Sequence, residues 1–124
     1  MKSCLVVDDS KVIRMVAKKI LVDLGFEVKE AADGKQALDA CRTQLPAVIL
    51  LDWNMPVMDG LTFLKELRRM PNGNQPSVIF CTTENDMDHI QMALNEGANE
   101  YIMKPFDAEI VKAKLEQVGI GDSD

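Results

Sequence analysis

The chain is predicted to fold as an α/β domain, a doubly wound five-stranded parallel sheet with helices on both faces. Two observations carry this. Short apolar runs alternate with segments of helical periodicity from one end of the chain to the other. Four of the five runs are also apolar without a break, as strands buried on both faces require. The length, 124 residues, suits one domain with a sizeable core.

Residues 4–7 read as the first strand. Ile13, Val16, Ala17, Ile20, Leu21 and Leu24 then recur at helical spacing, and Gly25 supplies a stop. Residues 26–29 alternate, as a strand at a sheet edge does, and Asp33-Gly34 turns the chain into a helix carrying Ala37, Leu38 and Cys41. Residues 47–51 form the third strand, 61–70 a helix, 71–74 a loop and 78–81 the fourth strand. A helix with Ile90, Ala93 and Leu94 ends at Gly97, residues 101–103 are the last strand, and Ile110, Val111, Leu115 and Val118 mark the last helix. Residues 119–124 read as a loose tail, and most of the eight methionines, lying among apolar neighbours, are assigned to the core.

Composition excludes several classes of function. Fourteen basic against twenty acidic side chains give a net charge of −6, which argues against nucleic acid or anionic lipid as a partner. No apolar run approaches the roughly 20 residues of a membrane span, and the start, MKSCLVVDD, lacks the pattern of a signal peptide. Cys4, Cys41 and Cys81 form no Cys-x-x-Cys and sit beside apolar residues. They are expected as buried reduced thiols, in keeping with a cytoplasmic protein.

In doubly wound sheets the working site lies at the carboxyl ends of the strands. Here those ends carry Asp8-Asp9, Asp52, Thr82-Thr83 and Lys104-Pro105, while the second strand runs into Ala31-Ala32. If the first and third strands are neighbours, three carboxylates share one pocket. Two unit charges about 4 Å apart repel by roughly 4 kcal/mol at an effective dielectric near 20, so the pocket needs cations. Lys104 is one, and a divalent ion is the other. An all-oxygen donor set favours Mg²⁺, with Mn²⁺ able to substitute. Magnesium commonly shares its site with a phosphate, and Asp52 is then a candidate nucleophile toward phosphorus, with Lys104 and the Thr82 hydroxyl stabilising the transferred group.

The segments VVDDS, LLDWNMPVMDG, TTE and KPF together resemble the receiver domain of bacterial two-component response regulators, and most of all its CheY-like single-domain members. The spacing from Asp52 to Thr82 (30 positions) and to Lys104 (52 positions) agrees with that family. The resemblance covers residues 1–124 as one receiver domain and implies the flavodoxin-like (βα)5 fold with strand order 2-1-3-4-5. It implies Asp52 as phosphoacceptor, and Asp8, Asp9, Asp52 and the Asn54 backbone carbonyl as magnesium ligands. It further implies Thr82 and Tyr101 as a switch pair, a cis Lys104-Pro105 peptide, and Asn54 and Glu84 as residues that tune hydrolysis of the acyl phosphate. Thr83 departs from the family, where a small residue is usual.

With no room for an output domain after Val118, signalling is expected through binding to another protein. The implied partners are a sensor histidine kinase and a downstream target such as a flagellar motor switch protein, in a cytoplasmic monomer that is a switch rather than an enzyme. A phosphate sink, or a regulator of another pathway, would use the same pocket. An aspartyl-nucleophile phosphatase would need an acidic residue where Asn54 stands, and a nucleotide-binding module would need a glycine-rich phosphate loop that this sequence lacks. Asp52-x-Asn54 also lacks the later glycine and glutamate of a calcium loop. Asp59-Gly60 is expected to be a turn, Trp53 packing beside the site, and His89 solvated surface.

Overall fold

A computed structural model describes residues 2–83 and 87–120. The elements alternate as β1 (Ser3–Val7), α1 (Lys11–Asp23), β2 (Glu27–Ala31), α2 (Gly34–Thr43), β3 (Val48–Asp52), α3 (Gly60–Arg69), β4 (Ser77–Thr82), α4 (Met87–Asn95), β5 (Glu100–Met103) and α5 (Ala108–Gln117). All strands run parallel in the order β2-β1-β3-β4-β5. Strand order therefore reverses between β1 and β3, where a doubly wound sheet opens its crevice.

Because successive strand residues point to opposite faces, the sheet builds two cores. Leu5, Val7, Ile49, Leu51 and Phe80 meet α2, α3 and α4 through Leu38, Phe63, Leu64, Leu67 and Ile90. On the other face, Val6, Val48, Leu50, Ile79 and Ile102 meet α1 and α5 through Ala17, Leu21, Val111 and Leu115. Each large side chain buried this way contributes about 1.5–3 kcal/mol. β2 lies at the edge, as its alternation predicts, and exposes Glu27, Lys29 and Glu30. Four of the helices start on side-chain caps: Ser10, Asp33, Asp59 and Asp107 each accept the N–H three residues on, at 2.8–3.3 Å. Each cap is worth about 1 kcal/mol. Asp59 is thus the start of α3 and not merely a turn.

Three expectations are corrected. Met15, Met87, Met92 and Met103 are exposed, and Met55, Met58 and Met70 pack only at the core margin. The flexible thioether suits such rims, and leucine, β-branched and aromatic side chains fill the interior instead. Secondly, Val16, Leu94 and Ile110 share the apolar periodicity of their helices yet are exposed. Lastly, the chain past Val118 is not loose at once: the Ile120 N–H donates to Leu115 O at 2.9 Å, and Ile120 packs against the core. Residues 121–124 of the expected tail lie outside the described residues.

The amino ends of β4 and β5 are tied by one side chain. Arg68 donates to the carbonyls of Gly73, Pro76 and Gly97 at 2.7–3.2 Å and to Asn99 Oδ1 at 3.1 Å. Asn99 Oδ1 also accepts the Val78 N–H at 2.8 Å. Gly97 adopts φ +113°, and a Cβ there would press on the Arg68 side chain at 3.0 Å. Arg68→Met strips the partners from several part-buried carbonyls, and stability is expected to fall by about 2–4 kcal/mol. Urea denaturation checks this, and Arg68→Lys, lacking the fork, recovers little of the loss.

At the opposite end, the loop from β3 to α3 makes a γ-turn in which the Met58 N–H donates to Pro56 O at 2.7 Å around Val57, whose φ is +68°. A β-branched side chain is strained there, and Val57 gains little burial in return, being 78% exposed. Val57→Gly is expected to raise stability by about 0.5–1 kcal/mol, the relief of strain exceeding the entropy glycine adds to the unfolded chain. Thermal or urea melting of the two proteins side by side measures the gain.

Candidate functional site

The parallel sheet delivers the predicted residues to one place. Asp8 follows β1, Asp52 ends β3, Thr82 ends β4 and Lys104 follows β5. Carboxylate oxygens of Asp8, Asp9 and Asp52 lie within 4.8 Å of one another. The Lys104 ammonium donates to Asp8 Oδ2 at 2.7 Å and to Asp52 Oδ1 at 3.1 Å. Asp8 is almost fully buried and Asp9 exposed, with Asp52 between them. The three therefore line a shallow funnel, dry at its floor and wet at its mouth.

Backbone contacts hold the constellation in place. The Asp8 N–H donates to Ala31 O at 3.1 Å, and Arg14 Nη1 donates to Asp8 O at 2.7 Å. Asp8 Oδ1 accepts the Ser10 N–H at 2.9 Å, which joins this carboxylate to the start of α1. Gly60 donates to Trp53 O at 2.9 Å, and a Cβ on Gly60 would stand 2.1 Å from Asp52 O. Only glycine lets α3 begin so close to the end of β3. The Lys104 N–H donates to Thr82 O at 2.7 Å, and the Lys104-Pro105 peptide is cis, as expected.

Electrostatics follow from this packing. Burial raises the Asp52 carboxyl above its ordinary value; Lys104 opposes that rise and Asp8 adds to it. Burial alone would lower Lys104, but its hydrogen bond to Asp8 and its attraction to Asp52 outweigh burial and hold it above the ordinary lysine value. One ammonium is thus firmly charged yet does not compensate Asp52 in full. The remaining deficit, met by an all-oxygen donor set, fits a hard divalent cation such as Mg²⁺. Asp8, Asp9 and Asp52 are the residues that would hold it, with the carbonyl of exposed Asn54 in the same loop.

Of the two switch candidates, Thr82 ends β4 next to this pocket and Tyr101 lies on β5. Thr82 is buried, and its Oγ1 donates to Thr83 O at 3.0 Å, while Thr83 itself is exposed. Tyr101 is partly buried against the core, with Lys114 Nζ 4.7 Å from its ring centroid. Lys114 also pairs with Glu100 at 3.3 Å. Glu84 lies outside the described residues.

His89 is not plain solvated surface. Its ring stacks on Trp53 at 4.2 Å between centroids and 14° between planes, and Trp53 meets the edge of Phe80 at 5.1 Å. Nothing local in the sequence pairs residues 53 and 89; only the fold brings α4 over the end of β3. Arg14 and Gly60 are likewise site-building residues with no signal beyond their neighbours. The three cysteines are free and buried. Burial pushes the Cys81 thiol up to about 12 and Cys41 up to about 11, so neither is a thiolate near neutrality.

Comparison with known proteins agrees with the geometry. Residues 4–116 match the response regulator receiver domain. The chain is 40% identical over 116 residues to a chemotaxis protein CheY homolog of Campylobacter jejuni, covering 92% of this chain and 89% of that protein. It is 39% identical over 122 residues to chemotaxis protein CheY1 of Helicobacter pylori, covering 97% and 98%. The solved structure of Vibrio cholerae CheY4 superimposes with a TM-score of 0.90 at 36% identity, over 95% of this chain and 98% of that one. The family match spans nearly the whole chain, the relatives share its fold, and a part-buried ammonium bridges two of three clustered carboxylates at the strand ends: this chain belongs to the response regulator receiver domain family.

Proposed function

We propose that the chain is a phosphoacceptor switch of the chemotaxis type, taking a phosphoryl group on Asp52 from a sensor histidine kinase. The observation that carries this is the Asp52 carboxylate at a strand end, ion-paired to Lys104 at 3.1 Å within the acidic cluster. An Asp52 oxygen attacks phosphorus in line, an O–P bond forms, the donor's N–P bond breaks, and its electron pair returns to the imidazole. The product is an acyl phosphate. Lys104 is placed to meet charge on the transferred oxygens, and Asp8 keeps that ammonium aimed at the pocket. Mg²⁺, when bound by Asp8, Asp9, Asp52 and the Asn54 carbonyl, supplies further charge neutralisation at the phosphoryl oxygens. The exposed side chain of Asn54 and the wet mouth at Asp9 favour later attack by water, as would Glu84.

For output, the Thr82 hydroxyl exchanges its present acceptor, Thr83 O, for a phosphoryl oxygen. Tyr101 then repacks and alters the surface offered to a target protein, such as a flagellar motor switch component. A charge-assisted hydrogen bond worth roughly 1.5–3 kcal/mol shifts such an equilibrium by about tenfold to a hundredfold, so binding is graded rather than all-or-none. The similarity to chemotaxis proteins over nearly their whole length supports this assignment. Among the described residues no helix is long and apolar enough to cross a membrane.

With Mg²⁺ and acetyl phosphate, intact-mass spectrometry is expected to show one added phosphoryl group, lost in Asp52→Asn and prevented by EDTA. Undiminished labelling of Asp52→Asn would put the nucleophile elsewhere.

Stability carries a second signature. The folded-state pKa of Asp52 is raised from 3.8, so the folded chain holds a proton that the unfolded chain has released. Its contribution therefore falls as pH rises through that interval, and the ionised carboxylate is a net cost at neutral pH. Lys104 has the opposite history: raised from 10.5, it supports the fold at all lower pH and loses that support only in strong alkali. Asp52→Asn is expected to melt higher than wild type near neutrality, with a flatter profile as pH rises above the ordinary carboxylate range. Melting curves recorded in chelator test this, and a lower melting temperature for the variant at pH 7 would refute it.

A further inference from the structure

The indole of Trp53 is a plate between the phosphoacceptor strand and α4. Its backbone follows Asp52 directly, one of its contacts is the edge of Phe80, and His89 lies flat against it. His89 belongs to the first turn of α4 (Met87–Asn95), a helix whose own buried side chains are only Ile90 and Ala93. Stacked aromatic pairs add roughly 0.5–1.5 kcal/mol beyond area burial, so for a helix with two buried side chains the stack adds materially to its hold. On another side of the indole, a dry crevice is lined by Leu51, Gly60, Leu64, Phe80 and Ala93. The plate is thus packed closely on both sides, against the imidazole of α4 and against the walls of this narrow crevice.

We propose that His89 is a positioning residue that couples the state of the Asp52 pocket to the placement of α4 through Trp53. This rests on the phosphoacceptor reading above but is a route distinct from Thr82 and Tyr101. When Asp52 gains a phosphoryl group, its bond to Lys104 must lengthen or turn, and the next residue on the chain turns with it. Gly60, packed against Asp52 O and bonded to Trp53 O, blocks backbone translation toward α3. Movement is therefore passed to the side chain, and the imidazole stacked on the indole follows it.

The test compares wild type, His89→Ala and His89→Phe, each with Mg²⁺ and beryllofluoride as the phosphoryl mimic. Amide chemical shifts of residues 87–95 report α4, Trp53 emission reports the plate, and acetyl phosphate labelling of the same samples reports Asp52. His89→Ala is expected to label like wild type while the α4 shift response falls by roughly half or more, and His89→Phe, which restores a flat ring, is expected to recover it. An α4 response in labelled His89→Ala equal to that of wild type overturns the coupling alone. A His89→Phe protein that behaves like His89→Ala overturns it as well. Wild type that takes up no phosphoryl group overturns the phosphoacceptor reading and this inference with it.

Discussion

Everything at the carboxyl end of the sheet depends on a charge that is only partly balanced. Lys104 reaches from the strand end after β5 to two carboxylates on β1 and β3, spanning strand β4 between them. A parallel sheet makes this possible, because all its strands finish on one side and their terminal residues crowd together. Three acids meeting one base weaken the fold and serve the chemistry. The pocket is preorganised around positive charge it does not itself fully provide, so a cation would complete it rather than disturb it.

The elements next to this charge are arranged to keep it from relaxing. Arg14 grips the Asp8 carbonyl, Ser10 ties its carboxylate to α1, and Gly60 allows α3 to start against the Asp52 backbone. The γ-turn at Val57 keeps the following loop close, and the Met58 carbonyl accepts the Gly34 N–H at 2.9 Å, joining α2 to that loop. Local backbone strain at such a position is sustained by the surrounding contacts, as is usual at functional sites.

Much of this was legible in the sequence, and the boundary of legibility has a physical cause. Strands β1, β3 and β4 announced themselves because burial on both faces permits only apolar residues, and their ends announced the site because Asp8, Asp52 and Lys104 break those runs. The edge character of β2 showed in its alternation. Helical period located the helices but not the width of their buried stripes, so Val16, Leu94 and Ile110 read as core and proved exposed. Methionine misled for a related reason: it is apolar enough to resemble core and pliable enough to serve at its margin. Arg68 and His89 were opaque because their partners are carbonyls and a ring brought near only by tertiary folding. A charged or aromatic residue on a helix carries no local mark of what will later face it.

The two ends of the sheet thus have separate duties. At the amino ends of β4 and β5, one guanidinium fastens three loop carbonyls and an amide, far from the acids at the carboxyl ends. One source of stability thus lies away from the candidate site. Substitutions around the acids can therefore accumulate in a lineage while this clamp, which they do not touch, still fastens the other end of the sheet.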